Sequence, residues 1–416
     1  MHLDPDQKQA LFDAMCEMPT VDAHEHLHSE AMRIGREVDI FLLFHQYLRV
    51  DLTLAGMPVE DVDALDDPEV ALDRKWESFA PHWDLVRSTA VAQAPLMSLR
   101  RFFDADDITA DNYAALTEQM RANNTAGCYE RYLREACNIT LVLNQNRTMW
   151  QTDLFKPILP GPSFIGEGTR ESLAAACAEE GCDVPGSLET FLAIVEERVR
   201  AKKSEGMLGI KGHGYPCAPG NRDDAEWAYP QVVSGDPERG DIEALNAFLW
   251  DFLFELCAKF DLVAVQHTGV WAGMGADITK IRPTNLIEKA QAHPNTRFDM
   301  FHAGTPDPAD AGFVVRSCPN VYINACWSHL LAPQLTKQAY DWWLDMVPIN
   351  RVSAWGGDYW WAVENVYGVV TKVREMLAEV LAARIKSGDF DEARALQIAR
   401  RWMHDNPREI YFIDEV

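Results

Sequence analysis

The sequence predicts an α/β fold, a closed (β/α)8 TIM barrel carrying a helical insertion after its first strand. Three observations predict it. Short β-rich runs bounded by turn residues recur eight times along the 416 residues. Helical stretches lie between most of them, and such a βαβα alternation builds a parallel sheet with helices outside. Eight units match a closed barrel, with an open doubly wound sheet as the alternative. A barrel tolerates large insertions within one domain, so residues 1–416 read as a single domain.

The eight runs are Thr20–His26, Ile139–Asn144, Phe155–Leu159, Leu208–His213, Leu262–His267, Arg297–His302, Asn320–Ala325 and Arg351–Asp358. Pro19-Thr20-Val21 favours an extended start to the first. Helices are expected at Leu188–Lys203, Ile242–Lys259 and Pro333–Met346. The connection from the first run to the second is far longer than a crossover needs, and structureless loops of that length are uncommon. Its helical patches, Glu69–Phe79 and Ala110–Glu135, make about residues 30–137 a helical insertion. Following a strand, it covers the C-terminal face, where barrel sites lie, as a lid or an oligomer contact, which leaves a homo-oligomer open. Pro157–Gly168 and Gly214–Gly240, rich in Gly and Pro, are expected as further loops on that face. Glu364 to Trp402 reads as two helices, closed by Asn406-Pro407.

Composition narrows the partners. The chain has 38 basic and 64 acidic residues, a net charge of −26, and no long Lys/Arg cluster, which argues against nucleic acid. No run is long and apolar enough to span a membrane. Nine scattered cysteines, without a C-x-x-C pair, read as reduced thiols rather than a disulfide framework. The N-terminus lacks the layout of a signal peptide. A cytoplasmic protein acting on a small-molecule substrate is expected.

Chemistry concentrates at strand ends. In Val21-Asp-Ala-His-Glu-His-Leu-His28, alternation along a strand puts Asp22, His24, His26 and His28 on one face. Two imidazoles two residues apart can grip one metal. The same letters spell H-E-x-x-H through His24, Glu25 and His28, which on a helix would be a zinc-protease pattern. The fifth run ends Val265-Gln-His267-Thr-Gly, the sixth Met300-Phe-His302-Ala-Gly and the eighth Ala354-Trp-Gly-Gly-Asp358. Strand ends converge on one mouth, so these side chains point to a shared divalent metal, zinc first, with manganese or iron as alternatives. The fourth run adds Lys211 and His213, which share a face. Lys211 reads as a partner for an anionic substrate, as a carboxylated bridge between two metals, or as a partly exposed lysine.

These motifs together resemble the amidohydrolase superfamily, and their spacing and Gly neighbours are most similar to its amidohydrolase-2 branch of decarboxylases and hydrolases. The resemblance implies that His24, His26, His267 and Asp358 hold the metal. It makes His302 a second-metal ligand or an acid/base group, and Lys211 a ligand in a binuclear site. The long helical insert and the ending Asn406-Pro-Arg-Glu-Ile-Tyr411 are similar to uronate isomerases. The chain departs from those enzymes after Asp358, reading Tyr359-Trp360 where they have Ser-Arg. No G-x-S-x-G elbow, P-loop or dinucleotide fingerprint is present.

The expected function is a metal-dependent hydrolase in which activated water attacks an amide, ester or lactone-type carbonyl, with Asp358 as general base and His302 assisting. The alternatives are a metal-dependent decarboxylase, a uronate-isomerase-like enzyme acting on a carboxylate, and a non-catalytic barrel with a structural metal. His28, His213, Tyr359 and Trp327 are expected to line the substrate pocket. Trp355, Trp360 and Trp361 fall near the same strand ends, and Arg87, Arg100, Arg101 and Arg147 are candidates for a substrate carboxylate.

Overall fold

The computed structural model describes residues 5–178, 181–212, 218–275 and 277–413. Eight strands form one sheet in sequence order: β1 (Thr20–Glu25), β2 (Ile139–Gln145), β3 (Phe155–Pro160), β4 (Gly209–Gly212), β5 (Val263–His267), β6 (Arg297–Phe301), β7 (Val321–Asn324) and β8 (Val352–Ser353). Every neighbouring pair is parallel. The fold is the expected barrel with helices around it.

The last strand is much shorter than its apolar run suggests. After Ser353 the chain passes through Gly356 and Gly357 to Asp358, whose φ of 65° leaves strand conformation. The barrel seam is closed by this turn rather than by β8. Asp358 N–H donates to His24 O (2.9 Å), His26 N–H to Tyr359 O (3.0 Å) and His28 N–H to Trp360 O (3.2 Å).

Inside the barrel, Val21, Leu141, Leu143, Ile158, Val263, Val265 and Phe301 pack with Ile410 and Tyr411. The C-terminal helix Asn406–Ile410 thereby plugs the floor, and the Tyr411 hydroxyl donates to Asp299 Oδ2 (2.6 Å). The larger apolar core lies between barrel and helices.

Between β1 and β2 run seven α-helices and one π-helical turn. Leu72–Val86 is typical: Lys75, Phe79, Trp83 and Val86 recur at helical spacing and are buried. Phe79 and Trp83 meet Phe44 at ring-centroid distances of 5.5 and 5.0 Å. The buried Lys75 donates to Asp39 Oδ2 (2.6 Å).

Two expected loops contain structure. Within Gly214–Gly240 the chain forms helix Arg222–Ser234, because Asn221 caps it by accepting from Asp224 N–H (3.1 Å). Within Pro157–Gly168, Pro162–Ile165 forms a short helix with proline in its first turn, a position needing no N–H donor. Among the described residues no helix is long and apolar enough to cross a membrane.

Candidate metal centre

β1 delivers the first two donors. His24 is fully buried and His26 partly so. Their Nε2 atoms lie 3.2 Å apart. The His26 Nδ1–H donates to Gln145 O (3.1 Å), which fixes the tautomer and leaves Nε2 as a lone pair. The turn after β8 brings in Asp358, whose Oδ1 is 3.3 Å from His24 Nε2 and 3.2 Å from His26 Nε2. Asp358 Oδ1 has no hydrogen-bond partner, although the residue is only 6% exposed. Two imidazole nitrogens and a carboxylate oxygen crowded together in a buried place repel one another unless a cation joins them. The three residues therefore fit a divalent metal.

The local electrostatics agree. Burial works to raise the Asp358 carboxyl, but the adjoining His26, then His24 and Lys211, outweigh it and hold it well below the usual carboxylate range. Burial, reinforced by Lys211, keeps His24 and His26 low and neutral. Burial also lowers Lys211, whose Nζ is 2.7 Å from His24 Nε2.

His302 and His267 sit side by side, ring centroids 4.4 Å apart. His302 Nδ1–H donates to Cys326 O (2.9 Å), and burial lowers its pKa to about 4. Its Nε2 is thus left as the acceptor nitrogen. His267 does not join the three-residue donor cluster. It is the last residue of β5, and its Nε2–H is directed at Val270 O (3.1 Å) in the loop that follows. Unusual backbone gathers here: His302, Ala303, Trp327 and Asp358 all have positive φ, a conformation that clusters at functional sites.

A cavity of about 450 Å³ opens above these groups. His26, Lys211, His267, His302 and Asp358 form its base, and Trp271, Trp327 and Trp360 stand in its walls. Gln46, Tyr47 and Arg49 reach it from the helices between β1 and β2. Two expected pocket residues are not in its lining. His28 lies beyond the end of β1 and stacks on Trp361 at 3.8 Å. Tyr359 is 2% exposed and packs edge-on against Tyr47 at 5.3 Å. His213 lies outside the described residues. Trp355 is buried in the seam, its Nε1–H donating to Thr20 Oγ1 (2.9 Å). None of Arg87, Arg100, Arg101 and Arg147 lines this cavity; Arg87, for instance, pairs with Asp107 at 2.7 Å.

Sequence reasoning missed the support of Asp358. Asp22 and Glu25 are both fully buried. Asp22 Oδ1 accepts from the N–H groups of His24 and Gly357, each at 3.1 Å, and Glu25 Oε2 accepts from Tyr359 N–H (2.6 Å). Burial raises Asp22 to about 7, and burial with the nearby Asp22 raises Glu25 well above its usual value, so the pair retains a proton. Asp22 was visible in the first motif by its alternation with His24. Gln46, Tyr47 and Arg49 carried no spacing signal.

An amidohydrolase family model matches residues 169–413. The solved structures that resemble the chain include uronate isomerase from Thermotoga maritima, with TM-score 0.81, 14% identity and coverage of 99% of this chain and 98% of that one. Glucuronate isomerase from Caulobacter crescentus gives TM-score 0.79 and 14% identity, with 99% and 96% coverage. Protein fluG of Emericella nidulans is 24% identical over 153 residues, which is 36% of this chain and 17% of that protein's length. With β-strand ends that gather two histidines and an aspartate, and with the family model spanning more than half of the sequence, the chain belongs to the amidohydrolase family.

Proposed function

We propose that this protein is a zinc-dependent hydrolase acting on an amide, ester or lactone carbonyl of a small molecule. The observation that carries the reading is the unpartnered Asp358 Oδ1 beside the Nε2 atoms of His24 and His26, at the base of a cavity. These three residues would hold the metal. A metal bound there supplies Lewis acidity toward the carbonyl and lowers the pKa of water to about 7. Among the described residues the cluster has three donors. A structural zinc is closed by four protein ligands, so three favour an open, catalytic position.

Asp358 is the general base. Its carboxylate stays ionised, so its second oxygen takes the proton of the attacking water and passes it to the leaving group. His302, neutral and with a bare Nε2, accepts a hydrogen bond from substrate or water and keeps that partner in line. Lys211, with Nζ 2.7 Å from His24 Nε2, stands beside the donors at the base of the cavity. Trp271, Trp327 and Trp360 offer flat apolar faces that suit a ring or planar acyl group and exclude water. Arg49, paired with Asp63 at 3.0 Å, stands in the lining.

A second reading, isomerisation of a sugar acid, is favoured by one observation. The likeness to uronate isomerase runs the whole length of both chains, including the helices between β1 and β2. One experiment separates the readings. Protein purified without chelator is assayed for metal by mass spectrometry and offered lactones, esters and uronates, with products followed by NMR. The hydrolase reading expects tightly held zinc and ring opening or ester cleavage, both lost in His24→Ala/His26→Ala. Uronate interconversion without hydrolysis overturns it in favour of the second reading. Full metal and activity in the double variant overturns the site.

A further inference from the structure

The ends of β6, β7 and β8 place a second set of donors beside the first. His302, Cys326 and Asp358 each offer a ligand atom, and these atoms lie within 4.8 Å of one another. All three residues are buried, at 1%, 0% and 6% exposure. The set is mechanically fixed. His302 and Asp358 hold positive φ, as does Trp327 next to Cys326. The His302 Nδ1–H bond to Cys326 O (2.9 Å) ties two of the three donor residues together. It leaves His302 Nε2 as the ligating nitrogen. Asp358, whose buried Oδ1 has no hydrogen-bond partner and faces His24 and His26, is the residue the two sets share. Lys211 takes no part, since its Nζ is directed at His24 Nε2 (2.7 Å).

A mixed nitrogen, sulfur and oxygen set discriminates among metals. Thiolate favours zinc, cadmium and other soft ions over magnesium, calcium and manganese, which prefer oxygen. We infer that His302, Cys326 and Asp358 form a second, thiolate-bearing cation subsite, sharing Asp358 with the His24–His26 site and taking a soft divalent ion. The inference rests on the metal reading above only through that shared carboxylate. Its consequence is a loading order. The His24–His26 site fills first, because its two lone-pair nitrogens already converge, and the thiol subsite fills at higher metal concentration.

The test titrates chelator-stripped full-length protein with cadmium ion alone. Bound metal per chain is counted, and the ultraviolet thiolate-to-metal charge-transfer band is recorded. The wild type is expected to take a second equivalent, and the band should grow with that equivalent. Cys326→Ala is expected to keep the first equivalent and lose both the second and the band; Cys326→Ser replaces it if the alanine variant is unfolded by circular dichroism. His302→Ala should lose the second equivalent alone. Saturation of the wild type at one equivalent without a band overturns the proposal, as does a band that survives loss of Cys326. The His24→Ala/His26→Ala variant separates the two claims. If it retains the first equivalent, the first site is misassigned, while the dependence of the band on Cys326 still decides the second.

Discussion

The Tyr47 hydroxyl donates a hydrogen bond to the backbone carbonyl of Asp358. The same carbonyl accepts from Gln46 Nε2 (2.8 Å). Asp358 is a non-glycine residue at φ 65°, a conformation that costs on the order of 1–3 kcal/mol and persists only where its surroundings enforce it. Two side chains from the turn between helices Leu42–His45 and Leu48–Leu54 supply that enforcement.

Tyr47→Phe removes the donor and keeps the ring packed on Trp327 (5.0 Å) and Tyr359 (5.3 Å). One buried hydrogen bond is worth about 1 kcal/mol, so kcat should fall roughly 5–10-fold through a less fixed Asp358. Metal content should hold. Steady-state kinetics beside a metal assay checks this, and an unchanged kcat refutes the link.

Gly357 has no room for a side chain. A Cβ there would lie 1.8 Å from Glu25 Oε1 and 3.4 Å from Asp22 Oδ2. Both are carboxylates fixed by backbone N–H groups, so neither yields easily. Gly357→Ala should displace the turn that carries Asp358, weaken metal binding at least about 10-fold and lower the unfolding midpoint. Isothermal titration with zinc on the stripped protein measures the first effect, and wild-type affinity would contradict the steric argument.

Arg33 and Glu364 are each 1% exposed and pair at 2.9 Å. Arg33 also donates to Trp361 O (3.0 Å) and Asn124 Oδ1 (2.6 Å), which joins the helices after β1 to the segment leading out of the site. Glu364→Gln leaves the guanidinium buried without its counter-charge, and breaking such pairs costs about 3–5 kcal/mol. Urea unfolding should show that loss, and a change below about 1 kcal/mol would mean that the charge is solvated in a way the burial does not suggest.

His329 is buried, its Nδ1–H faces Ala325 O (3.3 Å), and burial lowers it from its ordinary 6.5 to about 4. Between these values the unfolded chain binds the proton and the folded chain does not. Its stabilising share is therefore complete above pH 6.5 and disappears as pH falls toward 4, up to about 3 kcal/mol. Asp299, raised to about 6 by burial, acts in the opposite sense, so the test is a difference between variants. Wild type minus His329→Gln, by urea unfolding from pH 7 to 4, should lose stability on acidification. A flat difference would place His329 in contact with solvent.

The sequence by itself determined the barrel and pointed to candidate donors. β-rich runs bounded by turn residues place eight strands, and the period of two along a strand puts His24 beside His26, because these are local rules of backbone geometry. The end of a strand likewise marks Asp358 and His302. Only the tertiary structure decided which of these side chains meet. The two-residue β8 and the left-handed turn after it carry Asp358 to β1, whereas His267, equally placed in sequence, directs its Nε2–H to its own loop. Gln46 and Tyr47 form the turn between helices Leu42–His45 and Leu48–Leu54, and Arg49 lies in the second, where the local pattern reports only a packed face. Their position over the candidate donors follows from how that segment docks on the barrel, through contacts between residues hundreds of positions apart that no short-range periodicity encodes.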